Sequence, residues 1–226
     1  NLSKITFYLI KKTFYLQKRA VYVLIFTIFR VRRIWNPYLW KIMFDSASND
    51  LSFLATTMSG MEEVLGNELL GLGARDITLL TRAVSFKGDL GFLYKANFNL
   101  RTALRILIPM KVFKADTPEL IYEHVKGFSW EDLMTTQHTL AISATVNSPH
   151  FNHSLFIAQK VKDAIIDRFR DKTGSRPSVD LAEPDIRINI HITGDTCTLS
   201  LDSSGESLHK RGYRTATNIA PMNEVL

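Results

Sequence analysis

The sequence predicts an α+β chain in which a β-α-β-β-α-β unit is followed by a second small α/β unit. Three observations predict it. From Leu51 to Val112 the apolar spacing alternates between strand and helix periods in that order. Residues Ser154 to Arg170 carry the longest helical pattern, with Ile157, Val161, Ile165 and Phe169 four apart on one stripe. Between residues 138 and 201, strictly alternating segments end in a Gly-first two-residue turn.

In order, a strand is expected at Phe53 to Met58, followed by Ser59-Gly60-Met61-Glu62 as a capping box that starts a helix. Met61, Val64, Leu65, Leu69 and Leu72 recur at helical spacing until Gly71 and Gly73 stop the helix. Strands at Ile77 to Leu80 and Ala83 to Phe86, a helix at Leu90 to Asn97 and a strand at Ala103 to Val112 complete a ferredoxin-like unit. The second unit opens near Thr117 with the helical stretch PELIYEHVKGF and the strand His138 to Val146, where Leu140, Ile142, Ala144 and Val146 mark the buried face. After the loop NSPHFNH and the long helix comes Ile186 to Ile192, with Arg187, Asn189 and His191 on its open side. Gly194-Asp195 turns the chain, and Cys197, Leu199 and Leu201 face inward on the return strand.

The 226 residues, 46% of them hydrophobic, are enough for a buried core in one or two domains. A net charge of +6 invites a nucleic-acid reading, but it is unevenly placed. Residues 1–42 hold nine of the 28 Lys and Arg and no acid, leaving 19 basic against all 22 acidic residues downstream, a net of −3. A polyanionic partner must therefore be sought at local patches.

The first segment mixes aromatic, aliphatic and basic residues, and its longest uncharged run, Ala20 to Phe29, is too short for a bilayer-spanning helix, which needs roughly 17 to 25 residues. It has no small-residue cleavage site of the signal-peptide type. Its basic and aromatic content suits a membrane-surface helix. The abrupt change of composition at MFDSASND favours the other reading, with Met43 as the natural start and the preceding residues translated from upstream sequence.

The single cysteine, Cys197, allows neither an internal disulfide nor a cysteine-based zinc cluster, which suits a reducing cytoplasm and a buried-hydrophobe role. His150 and His153 supply two ligands, too few for a zinc site, so no metal is expected. Gly71-Leu72-Gly73 is the only Gly-x-Gly and ends a helix, and there is no phosphate loop, nucleophile elbow or paired-carboxylate site. No catalysis and no bound cofactor are expected of these residues.

Two clusters carry positive charge. On the long helix Lys160, Lys162, Arg168, Arg170 and Lys172 alternate with Asp163, Asp167 and Asp171, the pattern of a solvated, ion-paired face. The second, His209-Lys210-Arg211-Gly212-Tyr213-Arg214, contains no acid and pairs cations with an aromatic ring, so it can hold phosphates and stack a base; a plain charged linker fits the same composition.

The stretches FLATTMSGMEEVLGNELLGLGA, VSFKGD, KVKDAIIDRF, RPSVD, PDIRINIHI and SGESLHKRGYR, followed by APMNEVL, run in order over residues 51–226. They resemble bacterial THUMP-containing methyltransferases that modify guanine N2 of large-subunit ribosomal RNA. The family pattern has an aliphatic residue where Ser203 stands. The resemblance implies an N-terminal extension over 1–50, a ferredoxin-like domain over 51–115, a THUMP domain over 116–204, and over 205–226 a linker and the start of a methyltransferase domain, with the catalytic Rossmann-type domain absent. It implies an RNA partner, large-subunit rRNA first, contacted by Lys160, Lys162, Arg168, Lys210, Arg211, Tyr213 and Arg214. It also implies a downstream S-adenosylmethionine-dependent domain in the same polypeptide, a cytoplasmic setting and no membrane. Relatives of this architecture also methylate transfer RNA, so a tRNA-docking module remains an alternative. So does a purely structural or protein-interacting tandem, which the acidic balance after residue 42 permits.

Overall fold

The computed structural model describes residues 50–210; the expectations for the N-terminal segment, and for Arg211, Tyr213 and Arg214, lie outside the described residues. Within them the first unit runs β1 (Leu51–Thr56), α1 (Glu62–Leu72), β2 (Arg75–Leu80), β3 (Ala83–Gly88), α2 (Leu90–Asn99) and β4 (Arg105–Lys114). The strands lie in the order β2-β3-β1-β4 with every neighbour antiparallel, the ferredoxin-like arrangement that the periodicity predicts.

The start of α1 differs from expectation. Gly60 at φ 85° turns the chain so that the Met61 amide donates to the Met58 carbonyl at 3.1 Å, which leaves Ser59 in a tight turn, unable to cap the helix. No side chain caps α1. Instead the Glu62 carboxylate accepts from the Gly60 amide at 2.8 Å and from the Arg82 amide at 2.9 Å, tying the helix to the β2–β3 turn. At the other end Gly73, at φ 98°, closes the helix in the left-handed conformation. Val64, expected inward, is exposed, while Gly66 is buried against β2, where an added Cβ would meet Leu79 Cδ2 at 3.0 Å.

The second unit contains α3 (Pro118–Lys126), a 3-10 turn (Trp130–Asp132), β5 (Thr139–Asn147), α4 (Ser154–Thr173), β6 (Ser178–Val179), β7 (Ile186–Thr193) and β8 (Thr196–Asp202). Strands β5 and β7 are parallel and α4 is their crossover; β7 and β8 form the hairpin, with Gly194 at φ 60° in its turn as expected. The Trp130 turn and β6 carry no periodic signal and are additions to the sequence reading. Trp130 is fully buried and its indole N–H donates to the Val125 carbonyl at 2.7 Å, which satisfies its one polar group.

The two units share one sheet. The ten residues of β4 pair with β1 through Arg105, Ile106 and Leu107, and with β8 along Leu107 to Lys114, giving the eight-stranded order β2-β3-β1-β4-β8-β7-β5-β6. A single apolar core runs beneath both units, from Phe53, Phe86 and Ile106 to Ile188, Val161 and Phe169. The α4 stripe is buried as its spacing predicts, each such side chain contributing roughly 1.5–3 kcal/mol. The opposite face of the second unit presents Ser143, Thr145, Asn189 and His191 from adjacent strands β5 and β7.

Cys197 is fully buried, and burial, joined by the nearby Asp195 charge, pushes its thiol up to about 11. The native protein is expected to resist a thiol reagent such as DTNB at neutral pH and to react stoichiometrically in denaturant. Rapid labelling of the native chain would show that β8 opens locally.

Candidate nucleic-acid interface

The cations of α4 are committed to acids. Lys160 lies 3.5 Å from Glu119 of α3 and 5.7 Å from the Tyr122 ring centre. Lys162 pairs with Asp163 at 3.0 Å and Arg170 with Asp167 at 2.9 Å. Tyr122 donates to Asp167 at 2.8 Å, and burial and then this bond push its hydroxyl pKa up. Lys126 of α3 pairs with Asp171 at 2.8 Å. Exposed pairs of this kind are worth about 0–1 kcal/mol each, but together they leave little uncompensated charge.

Arg168 differs because it is 14% exposed. Its guanidinium donates to both carboxylate oxygens of Glu131, at 2.9 to 3.2 Å, and to the Lys126 carbonyl at 2.7 Å. Lys172 reaches the same carboxylate at 2.9 Å. Burial pushes the Glu131 carboxyl up, yet the Arg168 and Lys172 hydrogen bonds overcome it and hold its pKa at about 2. Arg168 thus joins α4 to the end of α3 and to the Trp130 turn, and its fork is occupied from within the protein. The histidine pair expected to be too sparse for metal has local work: His153 Nδ1 caps α4 by accepting from the Phe156 amide at 3.1 Å.

The second cluster starts from a built position. Beyond β8 the Ser203 amide and hydroxyl both donate to the Ile106 carbonyl, at 3.0 and 2.8 Å, and the Ile106 amide donates to Ser204 Oγ at 2.7 Å. Asn97 of α2 donates to Ser203 Oγ and accepts from Ser204 Oγ, each at 3.1 Å. The Leu208 amide then donates to the Leu104 carbonyl at 2.8 Å, and Ser207 Oγ reaches the same carbonyl. Ser207 also contacts His209 Nδ1 at 2.7 Å. Arg105 pairs with the buried Asp202 and donates to the Gly205 carbonyl at 3.2 Å. The Asp202 carboxyl is nevertheless held above its ordinary value, because burial outweighs the Arg105 charge. These bonds carry the chain back onto the first unit and leave the Lys210 side chain exposed. Sequence reading missed Asn97 and Ser204 and gave Ser203 only as a departure from the family pattern, because no spacing links α2 to residues more than a hundred positions on.

The structure brings Lys160, Lys162 and Arg168 onto α4 and puts Lys210 at the end of the tail that bonds to the first unit through Leu104. Among the described residues no group of three or more His, Cys, Asp or Glu could hold a metal.

Comparison with known proteins places both units. Residues 115–202 match the THUMP domain and residues 52–107 the RlmL ferredoxin-like domain. A ribosomal RNA large subunit methyltransferase K/L from Syntrophotalea carbinolica is 44% identical over 176 residues, covering 78% of this chain and 25% of that protein. A putative RNA methyltransferase from Synechocystis is 42% identical, covering 77% of this chain and 45% of that protein. The chain therefore spans between a quarter and under half the length of these curated relatives. Among solved structures, a predicted N6-adenine-specific DNA methylase from Listeria monocytogenes superposes with a TM-score of 0.65 at 32% identity, over 78% of this chain and 46% of that one. A putative methyltransferase complexed with SAH superposes at 0.63 and 28% identity, over 75% and 45%. Residues 52–107 are thus the RlmL ferredoxin-like domain and residues 115–202 the THUMP domain, the part of the chain that is similar to these methyltransferases.

Proposed function

We propose that this chain is the RNA-docking part of an RNA methyltransferase, holding large-subunit rRNA so that a guanine reaches an S-adenosylmethionine-dependent domain of the same polypeptide. The observation that carries this reading is the contrast between the two basic clusters. The α4 cations are balanced by acids within hydrogen-bond or ion-pair distance, whereas Lys210 leads an acid-free segment whose start is pinned to the ferredoxin-like unit. Lys210, Arg211 and Arg214 supply the main phosphate contacts and Tyr213 stacks a base. Lys160 and Lys162 add a weaker field, and Arg168 acts chiefly by holding α4 in place.

The names of the relatives favour ribosomal over transfer RNA, and the neighbour bearing SAH supports S-adenosylmethionine as the cofactor of the whole protein. A cytoplasmic setting follows from that substrate. No described helix is long and apolar enough to cross a membrane. The test is RNA affinity over a salt series with large-subunit rRNA fragments, tRNA and a duplex DNA as competing probes. Salt-dependent binding that prefers rRNA supports the reading. Preference for tRNA transfers the role to tRNA docking, and affinity for none of them leaves a protein-interaction tandem. Calorimetry of this chain with S-adenosylmethionine is expected to show no micromolar binding.

A further inference from the structure

Where β8 ends at Asp202, the start of β4 still has an edge to pair, from Leu104 to Ile106, and residues 203–208 run along it. The Ser203 amide donates to the Ile106 carbonyl at 3.0 Å and the Leu208 amide to the Leu104 carbonyl at 2.8 Å, while the Ile106 amide donates to Ser204 Oγ at 2.7 Å. Between these points the chain leaves the ladder in a bend at Gly205, φ 68°. The bend is held by the Ser204 amide, which donates to Asp202 at 2.9 Å, and by Arg105, which donates to the Gly205 carbonyl at 3.2 Å. Asn97 of α2 bonds to both Ser203 and Ser204.

This attachment differs in kind from that of the strands beside it. Strands β7 and β8 are fixed by their ladder and by the buried side chains of Ile188, Ile190, Leu199 and Leu201. Residues 203–208, Ser-Ser-Gly-Glu-Ser-Leu, hold on by hydrogen bonds and by one apolar side chain, Leu208, which is partly buried against the core. Hydrogen bonds exchanged against water add little net stability each. A segment without a buried apolar face therefore belongs to the part of a protein that opens well below global unfolding.

We propose that residues 203–208 are a strap that closes over the β4 edge and opens as one unit while both α/β units stay folded, giving the chain two points of departure. Closed, the strap makes the chain leave from Lys210, beside the ferredoxin-like unit. Open, the chain leaves from the end of β8 on a tether of residues 203–210, which reaches roughly 26–29 Å at about 3.3–3.6 Å per residue. Closure also covers the amide and carbonyl of Ile106 and the carbonyl of Leu104, an edge that would otherwise offer itself to another strand. Asn97, Ser204 and Leu208 set the balance between the two states, since each joins the strap to the ferredoxin-like unit or to the core beneath it. The inference goes beyond the RNA-docking reading and stands whether or not RNA is the partner.

The test is hydrogen exchange of the whole isotope-labelled chain, read amide by amide by NMR. The Ser203, Ile106 and Leu208 amides are expected to be protected, to share one opening equilibrium, and to exchange about tenfold or more faster than the β7–β8 ladder. The decisive readout is at a distance. Ser204→Ala takes the acceptor from the Ile106 amide and leaves the bond from Leu208 to Leu104 intact, yet it should speed Leu208 exchange about two- to tenfold. Leu208→Ala should in turn speed Ser203 exchange by at least as much. Both variants should keep a cooperative melt, with the ladder amides still the slowest to exchange. A parent Leu208 amide at the unprotected rate means that no strap is closed, and one as slow as the ladder means that the segment opens only with the fold; either result overturns the inference. So does Leu208 exchange unmoved by Ser204→Ala, which would make residues 203–208 separate contacts that open independently.

Discussion

Replacing Lys210, Arg211 and Arg214 together by Ala is expected to flatten the salt dependence of RNA affinity by roughly two to three units, at about 0.7 to 0.9 for each phosphate pairing removed. Folding should survive, because Lys210 is exposed and exposed positions away from caps and cores usually cost within about 0.5 kcal/mol each. The bonds that hold the segment come from Ser203, Ser204, Ser207 and Leu208 and are untouched by the change. The parallel variant Lys160→Ala with Lys162→Ala should move the slope much less, since Glu119 and Asp163 already lie 3.5 and 3.0 Å from the two ammonium groups. An unchanged slope for the triple variant, together with abolished binding for the helix pair, would make α4 the RNA surface and the basic segment a connection only.

The fold was legible wherever burial is periodic. The stripe Ile157, Val161, Ile165 and Phe169, the four isoleucines of β7 and the Gly194-Asp195 turn each mark one face or one bend, and each is found where its spacing puts it. The first helix shows where this fails. Ser59 and Glu62 have capping-box spacing, but a positive-φ glycine between them spends Ser59 in a turn and frees Glu62 to reach the Arg82 amide twenty positions on. Nor does periodicity reveal that β4 belongs to both units, because pairing to β1 and to β8 makes the same demand on its residues.

The interface was legible as composition and opaque as geometry. The sequence shows five cations among three acids on α4, and only the fold reveals that Glu119 and Glu131, outside the helix, complete the pairing. In the other direction, the docking of residues 203–210 depends on Asn97, more than a hundred positions upstream. Ser203 gains from Asn97 a polar partner that an aliphatic side chain could not use.

Arg168→Ala is expected to lower stability by about 2–3 kcal/mol, the worth of a hydrogen-bonded charge removed from a partly buried site. For a chain of this length that is a fall in melting temperature of roughly 4–12 °C. The cause is the carboxylate left behind: Glu131 is deprived of its paired guanidinium, keeps only Lys172, and stays partly buried beside Trp130. Glu131→Gln should cost less at neutral pH, since the amide oxygen still accepts one bond, but it should change the acid limb. The folded Glu131 pKa, about 2, lies below the ordinary 4.5, so its stabilisation is fully present above pH ~4.5 and is lost as the pH falls towards 2. Melting curves across that window should therefore show the parent converging on Glu131→Gln as acid is added. The RNA salt slope of Arg168→Ala, measured well below its melting temperature, should equal that of the parent, because its donors already serve Glu131 and Lys126. A slope lowered by about 0.7 to 0.9 with no loss of stability would instead make Arg168 a phosphate contact.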